Sequence, residues 1–212
     1  VILITGGSGG IGFEMASILS KNPKNMIVIA SRTESKNHEA VNKLKSETPG
    51  ASVTSLKLDL NSMSSVKEFA HQFLAQYDRL DCLFCNAGLL TASYSLSPDG
   101  FESSVATNHL GHFLLIQLLL KLIVKTSESK TGDEKARIIL TSSYIINPKN
   151  FSLAPYPNIK HGLKEALLPE MPKDYDSIRA VSNAKLLGAL SMHHLAQLYP
   201  KIVVSVYDPG FV

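Results

Sequence analysis

The eight residues TGGSGGIG (5–12) carry five glycines, from the end of the apolar run VILIT (1–5) into IGFEMASILSK (11–21), whose Ile11, Met15, Ile18 and Leu19 have helical spacing. Glycine turns tightly and has no side chain, so backbone N–H groups can approach a phosphate, and the N-terminus of the following helix adds partial positive charge. One spacing, G-x-G-x-x-G, is met by Gly7, Gly9 and Gly12, and a second, T-G-x-x-x-G-x-G, by Thr5, Gly6, Gly10 and Gly12. The chemistry implied is the cradling of a dinucleotide pyrophosphate. An ordinary glycine turn is the weaker alternative, because a strand precedes the loop and a helix follows it.

Other residues with chemical reach follow later strands. The second apolar run, MIVIAS (26–31), ends in Arg32, with no acid before Glu34. An acid at that tip favours a free ribose 2′-hydroxyl and an arginine a 2′-phosphate, so NADP(H) is favoured over NAD(H); a solvated surface arginine is the alternative. Asp59, in KLDL (57–60), is placed to reach the adenine edge, and Asn86-Ala87-Gly88 is a small tripeptide against which a cofactor could rest. Lys185 lies in RAVSNAKL (179–186), within a segment otherwise suited to packing, and Val181 stands one helical turn before it.

These positions require a scaffold that gathers strand ends. Strands are expected at 1–5, 26–31, 52–60, 80–88, 136–143 and 201–210, and helices at 11–21, 35–48, 62–77, 101–125 and 178–199. Alternation at this spacing predicts right-handed βαβ units and a doubly wound, Rossmann-type α/β fold: a parallel sheet with helices on both faces, in three layers. Such sheets bind ligands beyond the carboxyl ends of their strands. Residues 144–177 hold five prolines and are expected as a long loop or insertion.

The 212 residues suit one domain over 1–212. The chain starts inside a strand and stops just after another, so a C-terminal truncation and missing flanks are expected. A net charge of +3 without charge blocks argues against a nucleic-acid partner. FLLIQLLLKLIV (113–124) is read as too short to span a bilayer and is interrupted by Gln117 and Lys121. Two cysteines point to a reducing compartment, hence the cytoplasm, or the cytosolic face of a membrane if the flanks carry an anchor.

With these motifs in this order, the chain resembles the short-chain dehydrogenase/reductase family along essentially its whole length. The resemblance implies a cofactor surface of Gly6, Ser8, Gly9, Gly10, Ile11 and Gly12 in the loop, then Ser31 and Arg32, then Asp59 and Leu60. Asn86, Ala87 and Gly88 continue it, with Lys185, Pro209, Gly210 and Val212 at the nicotinamide end. TNHLGHF (107–113) is similar to the segment bearing the family's active-site asparagine, here Asn108; ILTSS (139–143) to the strand end bearing its serine, here Ser143; and SNAK (182–185) to the second half of its Y-x-x-x-K motif, with Lys185 as the lysine. In such enzymes the tyrosine protonates a carbonyl oxygen while hydride reaches the carbon, the lysine lowers the tyrosine pKa and holds the ribose, the serine binds the substrate oxygen, and the asparagine fixes a relay water. DGFE (99–102) and NHLGHFLL (108–115) look most like members acting on retinoids, sterols and other lipids, and NFSL (150–153) is similar to a segment of keto-steroid reductases. The implied substrate is a small hydrophobic carbonyl or alcohol, with a pocket expected largely from residues 89–100, 144–177 and whatever follows Val212. The resemblance also implies a homodimer or homotetramer, paired through the two long helices.

The departure is Val181, at the tyrosine position. Valine exchanges no proton, and general acid–base catalysis is worth about 10²–10⁴ in rate. Three readings stand: a relative that retains cofactor binding without the usual chemistry; another acid, with Tyr144 and Tyr175 the candidates, although neither has the spacing to Lys185; or a valine that was introduced or is an error in the sequence. The function expected is an NADP(H)-dependent oxidoreductase impaired at Val181, with an inactive NADP(H)-binding regulatory or partner-binding protein as the alternative. Cys82 and Cys85 read as structural, on opposite sides of a strand. His109 and His112 lack a matching third ligand, so no metal is expected. His193 and His194 diverge on their helix, and the acceptor pattern NFS (150–152) is set aside.

Overall fold

The structure, a computed structural model, describes residues 1–146 and 175–210. Six strands form one parallel sheet: β1 Ile2–Thr5, β2 Met26–Ser31, β3 Ser52–Lys57, β4 Cys82–Cys85, β5 Arg137–Thr141 and β6 Val203–Tyr207. Their order across the sheet is β3-β2-β1-β4-β5-β6, every neighbouring pair parallel. The helices between them are α1 Gly10–Ser20, α2 Glu34–Glu47, α3 Met63–Gln76, α4 Ser103–Glu128 and α5 Ser177–Leu198.

Alternation along the strands sorts the side chains into two cores. Ile4, Ile27, Ile29 and Val53 face α1 and α2, where Phe13, Ala16, Ala40 and Leu44 complete one apolar layer. Leu3, Val28, Leu83, Ile138 and Leu140 face the other way, against Phe69 and Phe73 of α3, Leu115, Ile116 and Leu119 of α4, and Met192 and Leu195 of α5. This is the expected three-layer α/β/α arrangement. β1 lies between β2 and β4, so the chain reverses its direction of winding there, and the loops leaving β1 and β4 diverge over a crevice.

Several boundaries differ from the sequence reading. β3 and β4 stop at Lys57 and Cys85 rather than at 60 and 88. The neighbouring strands end at the same level, so residues 58–60 and 86–88 are left to line the crevice. The long helix runs from Ser103 to Glu128 and is long and apolar enough, by length and composition, to cross a membrane, unlike the short run seen in sequence; in this fold 56% of its apolar window is buried, against the sheet and α3. It begins where Glu102 accepts from the N–H groups of Ser104 and Val105 at 2.9 and 2.8 Å. It then widens into a π turn at Ala106–Leu110, which the periodicity did not predict. α5 starts on Asp176, which caps Ile178 and Arg179. Residues 144–146 form a 3₁₀ turn; the rest of the expected insertion, 147–174, with its five prolines and the NFS pattern, lies outside the described residues, as does Val212.

Candidate functional site

At the β1–α1 loop, Gly6 has φ +68° and Gly10 φ +52°, a region that side chains disfavour. A Cβ on Gly12 would lie 2.4 Å from the Gly6 carbonyl oxygen and 2.7 Å from Asn86 Nδ2. The constraints fall on every glycine of the second spacing, Gly6, Gly10 and Gly12, and also on Gly7, where a Cβ would lie 2.7 Å from the Ile29 side chain. Gly9 is extended, and a Cβ there would meet nothing within 4 Å, so the outer side of the loop is open. Gly9 supplies no side-chain cap, which leaves the first-turn N–H groups of α1, including that of Ile11, able to receive an anion.

Beside the loop lies a cavity of about 180 Å³, lined by Gly6, Ser31, Arg32, Asp59, Leu60, Ala87 and Gly88, with Thr107 across from them. Arg32 is exposed and forms no ion pair among the described residues. Asp59 accepts from the Asn61 N–H at 3.0 Å, which turns the chain behind β3. Ser8 Oγ lies 2.8 Å from Ser31 Oγ, and Ser31 donates in turn to Asn37. An open loop beside a cavity fits a dinucleotide.

The two loops are fastened to each other. Thr5 Oγ1 accepts from the N–H groups of Asn86 and Ala87 at 2.9 and 3.0 Å, while Asn86 Nδ2 donates to the Thr5 carbonyl at 3.1 Å. With both lone pairs of Thr5 taken, its proton goes to His112 Nε2, 2.9 Å away, or to the Phe84 carbonyl at 3.2 Å. His112 is buried, and burial, with the nearby Lys185 charge, pulls its pKa down to about 3, so the ring is neutral. His109, lowered to about 4 by burial, instead packs on the Phe113 ring, so the two histidines do not converge.

The end of the crevice at which the resemblance expects the nicotinamide is built by α4 and α5. Asn108 sits in the π turn, where its Oδ1 accepts from Leu89 N–H at 2.6 Å and its Nδ2 donates to the Leu89 carbonyl at 2.8 Å. Lys185 is buried and donates to the Thr141 carbonyl at 2.7 Å; burial lowers its pKa to about 8. A Cβ on Gly88 would lie 3.5 Å from Asn108 Oδ1 and 3.7 Å from Lys185 Nζ, so three elements distant in sequence converge here. Ser143 follows β5, beside the turn against which α5 packs, and Val181 is half-buried on α5. Pro209 and Gly210 follow β6; Gly210 adopts φ +77° and bonds to Asp208, with no bond to the crevice among the described residues.

Some residues that shape the site were missed in sequence. Gly111 is one: a Cβ there would lie 2.3 Å from the Leu60 carbonyl, so α4 approaches the crevice only as glycine allows. Thr141, which donates to Tyr207 at 2.9 Å, is another, and Asn37 a third. Local spacing carried no signal for any of them. Of the two tyrosines considered as substitute acids, Tyr175 donates its proton to buried Glu102 at 2.8 Å and lies 3.1 Å from Thr91 Oγ1. Burial, seconded by the Glu102 contact, raises its pKa. Tyr144 lies in the 3₁₀ turn after Ser143. Cys82 and Cys85 are free and buried, and burial pushes the Cys82 thiol up to about 12 and raises that of Cys85 as well, which makes both inert.

Comparison with known proteins places this geometry. The family model described as short chain dehydrogenase matches residues 1–181. Retinol dehydrogenase 12 of Mus musculus is 38% identical over 216 residues, covering 100% of this chain and 61% of that protein. Polyprenol dehydrogenase of Homo sapiens is 31% identical over 218 residues, 100% of this chain and 60% of that protein. Short-chain dehydrogenase TIC 32 B, chloroplastic, of Brassica napus is 43% identical over 141 residues, 66% of this chain and 43% of that protein. The chain thus spans about two to three fifths of these curated relatives. Among solved structures, an alcohol dehydrogenase from Thermococcus sibiricus complexed with 5-hydroxy-NADP superposes with a TM-score of 0.71 at 18% identity, over 100% of this chain and 76% of that one. A short chain dehydrogenase from Escherichia coli CFT073 complexed with NADPH gives 0.69 at 23%, over 99% and 75%.

Proposed function

The chain belongs to the short-chain dehydrogenase/reductase family, and from that premise we propose that it binds NADP(H) in preference to NAD(H) and is, by descent, an oxidoreductase for a carbonyl or alcohol of a small hydrophobic molecule. The observation that carries the reading is the convergence of Gly88, Asn108 and Lys185 beside an open glycine loop. When bound, the cofactor supplies or accepts a hydride. The chain's own residues do the rest: the loop and the first turn of α1 hold the pyrophosphate, Arg32 meets the 2′-phosphate, and the ammonium of Lys185 holds the ribose. Ser143 binds the substrate oxygen, and Asn108 supports the proton path. A retinoid-like substrate suits the names of the relatives, retinol dehydrogenase and polyprenol dehydrogenase, and a steroid-like one rests on the sequence resemblance. The two inert cysteines suit a cytoplasmic or cytosol-facing protein, and α4 and α5 suit pairing into a homodimer or homotetramer.

Val181 favours a second reading. Without an acid one turn before Lys185, the chain retains a cofactor crevice but loses the proton donor, which suits an NADP(H)-binding regulatory or partner-binding protein. NADPH titration tests the ground shared by both readings. Saturable binding in the submillimolar range is expected; its absence sinks both. Arg32→Ala should weaken NADPH relative to NADH by about tenfold or more, the worth of a hydrogen bond to a charged group. An unchanged ratio would remove the cofactor preference.

A further inference from the structure

The hydroxyl pair beside Arg32 is polarised by a residue deeper in the fold. Asn37, on α2, is 1% exposed. Its Nδ2 donates to the Ser31 carbonyl at 3.1 Å and to the Leu56 carbonyl at 3.2 Å. Carbonyl oxygens accept and never donate, so these two partners fix which end of the amide is nitrogen. Oδ1 therefore faces the Ser31 hydroxyl and can only accept from it. Ser31 has one proton, and it points inward at Asn37. Ser8 Oγ, 2.8 Å from Ser31 Oγ, must then be the donor of that pair. The chain of protons runs from Ser8 to Ser31 to Asn37, so Ser31, which lines the cavity, has only a lone pair to offer there.

We infer that Asn37 is a specificity-determining positioning residue: by holding the Ser31 proton inward, it makes that hydroxyl an acceptor for a ribose hydroxyl and denies it as a donor to a 2′-phosphate. Ser8 can turn its proton outward by giving up one bond. Ser31 cannot do so without leaving a buried amide oxygen unsatisfied. Discrimination for the phosphorylated cofactor therefore falls on Arg32, against a hydroxyl pair set to receive the unphosphorylated one. This inference rests on the reading of the crevice as a nicotinamide dinucleotide site.

The test is the ratio of NADPH to NADH affinity, measured by titration on the purified protein. Ser31→Ala removes an acceptor for the ribose hydroxyl and no donor to phosphate, so the ratio should rise a few-fold, through weaker NADH. Asn37→Leu releases the Ser31 proton toward the cavity, so the ratio should rise about tenfold, the worth of one added hydrogen bond to a charged oxygen. In the Ser31→Ala background, Asn37→Leu should add no further change. A fall in the ratio with Ser31→Ala shows that the hydroxyl donates to the phosphate and overturns the inference. An unchanged ratio with Asn37→Leu, including loss of both affinities alike through damage to α2, also overturns it. Wild type that binds both cofactors while the variants behave in either of these ways refutes this inference alone; wild type that binds neither refutes the cofactor reading beneath it.

Discussion

Val181→Tyr should restore a proton donor to a site otherwise arranged for one. Residue 181 lies about 6 Å along the helix axis from Lys185, on the same side of α5. Lys185 is anchored to the carbonyl of Thr141, two residues before Ser143. A tyrosine at 181 therefore stands on the face of α5 that carries the ammonium. With its pKa at about 8, Lys185 is mostly charged at pH 7, and that charge lowers the pKa of a neighbouring phenol. A positioned acid contributes about 10²–10⁴ in rate, or roughly 3–5 kcal/mol of barrier. The larger ring costs up to about 1–3 kcal/mol of stability at this half-buried position, which thermal melting will read separately. The assay is NADPH oxidation over a panel of ketones, aldehydes, retinoids and sterols for wild type, Val181→Tyr and Val181→Phe. Turnover should rise at least a hundredfold with tyrosine and stay at the wild-type level with phenylalanine. It should fall above about pH 8, as Lys185 loses its charge. Equal, robust turnover of wild type and Val181→Tyr shows that another acid operates. Equal gains with phenylalanine show that shape, not the hydroxyl, was lacking. Either result refutes the reasoning.

Three further outcomes are expected. Gly12→Ala drives a Cβ into the Gly6 carbonyl and Asn86, so NADPH affinity should drop about tenfold or more, in line with the 1–3 kcal/mol typical of overpacking; a Kd within twofold of wild type in the same titration contradicts the loop geometry. Tyr175→Phe breaks the bond to Glu102 and should cost about 1–2 kcal/mol in urea unfolding, leaving whatever turnover wild type shows; a hundredfold loss of turnover would instead make Tyr175 the acid. His112 and His109, lowered to about 3 and 4, give stability that is complete above about pH 6.5 and is lost as pH falls, because the unfolded chain takes up the protons first, at up to about 1.4 kcal/mol per pH unit for each histidine. Urea midpoints at pH 7.5, 6 and 5 should decline in wild type and less steeply in His112→Gln; a flat profile would show that these rings are not buried as described.

What could be read from sequence and what could not divide along a physical line. Gly6, Gly10 and Gly12 were legible because a positive φ or a missing Cβ demands one residue type at one spacing. Lys185 was legible because a charge on a packing helix needs a reason. The strands and helices followed from periodicity, to within a few residues at their ends. Gly111 was not legible: its need for glycine comes from the Leu60 carbonyl, some fifty positions away in sequence, and in an apolar helix it reads as a lapse in propensity. The π turn holding Asn108 has no periodic signature, since one widened turn does not disturb the apolar stripe. Asn37 looked like one polar residue among many on α2, because its partners at Ser31 and Leu56 are assembled only by the sheet.

The threonine at the end of β1 has a kinetic consequence. Because Thr5 ties the Asn86 and Ala87 amides to its own strand, the width of the crevice is set by the hydrogen-bond ladder of the sheet and not by an occupant. Those two amides should exchange with deuterium as slowly as the central strands even in the empty protein, where loop amides ordinarily exchange fast. A ligand then meets a wall that needs no ordering, so encounter is not delayed by rearrangement, and differences in affinity among ligands appear as differences in residence time.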